Sequence, residues 1–151
     1  MKKIIFSCIG ILLFLSCKTT TNLVSEVKYK SYTNQIMSVE AIGYGSNASK
    51  ALANAQKNAI DVILFRGVPN SNLNSPLVGT NEALALQKHK KYFETFYANK
   101  RYLSFITQSV TQTPFRKLEN GNKGLRATIN VNIQSLRADL EHNGLIRKFG
   151  Y

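Results

Sequence analysis

At 151 residues the chain has room for one domain, and its 20 Lys and Arg against 8 Asp and Glu give a formal charge of +12. The cysteines are Cys8 and Cys17, both ahead of any expected folded region, which excludes a disulfide, a zinc site or a cysteine nucleophile within the domain.

Residues 1–16 read as a secretion signal: Lys2 and Lys3, an almost wholly apolar run from Ile4 to Leu15, then Ser16. The run is shorter than the ~20 residues that a permanent membrane-spanning helix needs. Phe14-Leu15-Ser16-Cys17 resembles the lipobox of bacterial lipoproteins, in which the cysteine is diacylated and becomes the new N-terminus after cleavage. Phe14 departs from the Leu usual at that position; an ordinary signal peptide cleaved nearby, or an uncleaved anchor, is the alternative. The resemblance implies lipidation of Cys17 and stable attachment, because two or three acyl chains at about 0.8 kcal/mol per buried CH₂ exceed what a single chain provides. Residues 17–35 are then the acylated cysteine and a polar tether, beginning Lys18-Thr19-Thr20-Thr21-Asn22. Lys18 is not the Asp that retains enteric lipoproteins in the inner membrane, and no acidic export run follows it. The implied location is the outer membrane, facing the periplasm, with surface exposure left open.

The expected domain is 36–151. Met37 to Tyr44 alternates loosely as a strand and meets Gly43-Tyr44-Gly45, a sharp turn in which both glycines are expected to have backbone rather than chemical roles, so that a bulky β-branched residue there lowers stability if a positive φ is used. Ser46 or Asn47 can cap a long helix with Ala48, Leu52, Ala55, Ala59 and Ile63 on one stripe, stopped by Gly67 and Pro69. Alanines on that stripe let the helix axis sit close to a sheet. Val68 to Gly79 is a loop, and Thr80 or Asn81 opens a second helix through about Asn99. Tyr102 to Thr113 reads as a strand with a bulge near Phe105 and Ile106, and Glu119 to Gly124 as a turn. The cleanest periodicity follows: Leu125, Ala127, Ile129, Val131 and Ile133 point one way while Arg126, Thr128, Asn130, Asn132 and Gln134 point the other. Ser135 then caps a short last helix ended by Gly144. The fold class is α+β, with a small antiparallel sheet of about three strands and a long helix across it.

Chemical motifs are sparse. Gly43-Tyr44-Gly45-Ser46-Asn47-Ala48 fits a dinucleotide fingerprint in part, but no second strand ending in an acid follows about twenty residues on, so the glycines read as a tight turn. Ser46 lacks the flanking glycines of a hydrolase elbow. His89 and His142 have no second His or carboxylate at ligand spacing, and Asp139 and Glu141 point to different sides of a helix. No catalytic residue, metal site or cofactor is therefore expected. Without Lys2 and Lys3 the mature chain keeps a charge of +10, which suggests an anionic partner, although frequent Lys, Asn and Ile also fit AT-rich codon usage. The most suggestive surface is Lys88-His89-Lys90-Lys91 followed by Tyr92, Phe93, Phe96, Tyr97, Lys100, Arg101 and Tyr102. Interleaved cations and aromatics can bind phosphate head groups; the plain alternative packs the aromatics and solvates the lysines. Lys88, Lys90, Lys91, Lys100 and Arg101 are the candidate contacts.

Gly43, Gly45, Ser46, Ala51, Ala55 and Ala59, then Val131, Leu136, Arg137, Leu140, Glu141 and Gly144, resemble a superfamily of small bacterial outer-membrane lipoprotein antigens that includes the N-terminal domain of the flagellar-assembly protein T. The resemblance spans about Val39 to Ile146 and implies a compact α+β domain with a role in envelope assembly or surface contact. The insertion Val68 to Asn99 departs from it, and no flagellar role follows. The expected function is that of a non-enzymatic envelope lipoprotein. Its partners are the membrane, through the lipid anchor, and a protein, an anionic envelope component or a second copy of the chain, not nucleic acid. The alternative is a small periplasmic hydrolase acting on an anionic envelope polymer.

Overall fold

The computed structural model describes residues 26–148; the signal segment, Cys17 and the expected tether as far as residue 25 lie outside them. Four antiparallel strands form one sheet in the order β1-β2-β4-β3: β1 Val27–Thr33, β2 Ile36–Tyr44, β3 Ile106–Lys117 and β4 Lys123–Asn132. Helix α1 spans Ala48–Phe65, α2 Glu82–Lys88, α3 Lys90–Ala98 and α4 Ile133–His142, with a 3-10 turn at Arg101–Phe105. The α+β class holds, with one strand more than expected.

The extra strand, β1, lies in the stretch assigned to the tether. Its inward residues are Val27, Tyr29 and Tyr32, and the shift from a spacing of two to one of three is absorbed by a register irregularity between Tyr29 and Ser31. Strand β4 is central, and its inward set, Leu125, Ala127, Ile129 and Val131, is buried as the alternation predicts. Strand β3 is the other edge. It continues through Pro114, which falls where the register with β4 shifts between Thr113 and Arg116, an irregularity that an edge strand tolerates. Tyr102 to Phe105, expected as the start of that strand, forms the 3-10 turn, and Tyr102 and Phe105 are buried from there.

The junction between β2 and α1 fixes the layer spacing. Asn47 caps α1, its side chain accepting from the Lys50 amide at 2.9 Å. Ala51, Ala55 and Ala59 are fully buried, so the helix can approach the sheet at backbone distance. A Cβ on Gly43 would collide with the Ala51 carbonyl oxygen and the Ala55 amide, and one on Gly45 would sit 2.6 Å from the Ala51 nitrogen. Neither glycine has positive φ, so their backbone role is close approach rather than a left-handed turn. Among the described residues the outer side of β2 has no strand partner beyond Glu26, whose carbonyl accepts from the Ile42 amide. Asn54 and Asn58 stand in for a strand there, accepting from the Tyr44 amide at 2.9 Å and donating to the Ile42 carbonyl at 2.9 Å.

From Ala59 to Phe65 every residue of α1 is buried. The sheet covers one side and the insertion covers the other: Val68 and Leu73 pack on it, and Phe65 meets Phe93 at 5.5 Å between ring centroids. The insertion is thus a third layer over the end of α1. The second helix expected to run to Asn99 is broken at His89, whose φ of −115° and ψ of 37° end α2 and begin α3. The last helix starts earlier than expected, with Asn132 rather than Ser135 as its cap, accepting from the Ser135 amide at 2.9 Å.

Candidate functional site: a cationic groove at the α2–α3 break

The break at His89 turns the chain so that the end of α2 and the first turn of α3 face Arg101 of the 3-10 turn across a groove of about 500 Å³. Lys88, His89, Lys90, Lys91, Tyr92 and Arg101 line it, and among the described residues no carboxylate lines it. Four of the five candidate cations therefore meet. Lys100 does not line this groove; it sits in a left-handed conformation, with φ of 52°, at the start of the 3-10 turn.

The four cations are not equivalent. Lys90 lies 3.6 Å from Glu94 one turn on, an exposed pair of small worth. Arg101 is committed to the fold: its Nη2 donates to Asp139 Oδ2 at 2.6 Å, and the guanidinium lies 5.1 Å from the Tyr92 ring centroid and 5.8 Å from that of Phe96. Lys88 and Lys91 have no ion pair among the described residues. The first turn of α3 also lacks a side-chain cap, so its leading amides add positive potential to that of the two lysines.

Behind the groove the aromatic residues do what the plain reading expects and build core. Phe93 and Phe96 are buried, with Tyr92 stacked on Phe96 at 5.4 Å. Two acids missed as site-supporting residues hold this block. Asp139 receives both Arg101 and the Tyr92 hydroxyl, the latter at 2.6 Å. Asp61, only 6% exposed, accepts from Lys57 and, at 2.7 Å, from the Tyr97 hydroxyl. Burial, then the hydrogen bond and charge of Asp139, push the Tyr92 hydroxyl above the ordinary tyrosine range. Burial, then the charge and hydrogen bond of Asp61, do the same to Tyr97. Both phenols stay neutral donors. Asp61 sits four residues after Lys57, a spacing that could have revealed the pair; Asp139 and Arg101 are 38 apart and carry no local signal.

A second basic cleft, of about 310 Å³, lies at the β3–β4 turn, but it includes Glu119, and its Arg126 is 3.5 Å from Glu40. Among the described residues no histidine is hydrogen-bonded to a carboxylate or a serine, no cluster of His, Cys, Asp and Glu is placed to hold a metal, and no helix is long and apolar enough to cross a membrane. The fold and the groove define a small α+β domain with a concave cationic surface. Comparison with family models, with curated proteins and with solved structures finds no match.

Proposed function

We propose that this is a non-enzymatic cell-envelope lipoprotein, anchored through Cys17 to the outer membrane, whose domain holds an anionic envelope component in the groove at the α2–α3 break. The observation that carries the reading is the convergence of Lys88, Lys91 and Arg101 on one concavity that no carboxylate of the described residues lines. A purely compositional excess of lysine gives no reason for cations from separate elements to face one another. The signal-like segment and the Phe14-Leu15-Ser16-Cys17 sequence support export and lipidation, and the close packing of Ala51, Ala55 and Ala59 under Gly43 fits the superfamily resemblance.

The test is affinity purification of the acylated chain from its own membrane, in parallel with a Lys88→Glu/Lys91→Glu variant. An anionic component recovered with the parent and lost with the variant supports the reading; equal recovery, or recovery of the chain alone, contradicts it. For the anchor, Cys17→Ala should abolish palmitate labelling and release the chain from the membrane fraction, and unchanged labelling would contradict lipidation there. Reversal is confined to Lys88 and Lys91 because a carboxylate at Arg101 would face Asp139.

A further inference from the structure

We propose that the groove is a receptor for a phosphate monoester, gripped by Arg101 as a fixed contact and by Lys88 and Lys91 as adjustable ones. This rests on the anion-binding reading above and narrows it to one chemical class. The three cations come from three segments, the end of α2, the first turn of α3 and the 3-10 turn, and surround a single concavity. Cations spread over a flat face serve a diffuse anionic surface, whereas cations around a hollow of about 500 Å³ serve a protruding group with its own concentrated charge. A phosphate monoester is such a group: it carries about −1.5 to −2 charge at neutral pH and three acceptor oxygens. A diester carries one charge and has only two free oxygens.

Arg101 supplies the geometry. Asp139 holds one edge of the guanidinium through Nη2, and the Tyr92 and Phe96 rings lie within 6 Å of its centre, so the cost of ordering this side chain is met before a ligand arrives. Its Nε is buried without a hydrogen-bond partner among the described residues, while Asp139, which would repel a phosphate, is not among the groove's lining residues. Lys88 and Lys91 are flexible, solvent-facing and without an ion pair among the described residues, as adjustable point charges should be. Lys90, already beside Glu94, contributes less.

The test uses the full chain held in phosphatidylcholine nanodiscs, with binding followed by phosphorus NMR line broadening. Glycerol 3-phosphate is the monoester probe and dimethyl phosphate the diester. The monoester should broaden and the diester should not, and Lys88→Gln/Lys91→Gln should weaken the monoester roughly tenfold, as loss of charged hydrogen bonds does. Arg101→Lys, with its thermal midpoint measured alongside, should weaken it also; the exposed double variant keeps the test valid if that protein unfolds. Doping the nanodiscs with phosphatidic acid separates the two sources of the group: displacement of the soluble probe marks a lipid head group as the ligand, and continued binding marks a water-soluble one. Equal binding of monoester and diester would overturn the proposal while leaving the anion-binding reading intact. Binding of neither would overturn both, and an unaltered affinity in the double variant would remove the ligand from this groove.

Discussion

Gly43 shows how a residue can be recognised from sequence for the wrong reason. A glycine pair before a helix suggests a left-handed turn, yet the backbone there is ordinary, and what the site forbids is any Cβ between β2 and α1. Gly43→Ala should therefore destabilise the domain by about 3 kcal/mol, because the new methyl meets backbone atoms rather than a yielding side chain; urea denaturation matching the parent would contradict this. Tyr97 supports a prediction of a different kind. Its folded pKa lies above the unfolded value of 10.0, so the neutral form is favoured by folding. That contribution is fully present below pH 10 and is lost as pH rises above it, since the unfolded chain releases its proton first. Alkaline unfolding followed above pH 10 should be shallower in Tyr97→Phe than in the parent, even though the variant loses the bond to Asp61. Identical slopes would contradict it.

At the scale of elements, β4 is legible because one of its faces is buried and the other is half-exposed polar, and hydrophobic period then equals structural period. Strand β1 hides because its irregularity after Tyr29 moves the next inward residue from position 31 to Tyr32, so alternation fails over only seven residues. The break between α2 and α3 hides too: His89 is neither Gly nor Pro, and the local sequence continues helix-compatible through it. The groove exists because of that break. The run of lysines around His89 was readable as a cluster, but the commitment of Arg101 to Asp139 was not, since it depends on α4 packing beside the 3-10 turn. Helix α2 has no buried residue and exposes Leu84 to 58%, whereas α1 is buried all round at its C-terminal end. Hydrogen exchange should accordingly be more than about tenfold faster for the α2 amides than for those of Ala59–Phe65, and comparable protection would show that α2 is held more firmly than its contacts account for.

For the whole molecule, the charge of +12 is a property of composition until its distribution is considered. Several basic side chains are tied to acids, Arg126 facing Glu40, Lys57 serving Asp61, Arg66 lying 3.8 Å from Glu82 and Lys28 3.0 Å from Glu26, which leaves the net excess to the unpaired cations. What remains concentrated is the groove. If that concentration is functional, attraction to an anionic partner must decay as the Debye length shrinks from ~10 Å at 0.1 M salt to ~3 Å at 1 M. The most direct measurement is the affinity of the full chain, held in zwitterionic nanodiscs, for an anionic envelope-lipid extract across that salt range, in the parent and in Lys88→Glu/Lys91→Glu. The account predicts a parent affinity that falls steadily with salt and a variant affinity that is low throughout; a variant that binds as the parent does at every salt concentration would contradict it.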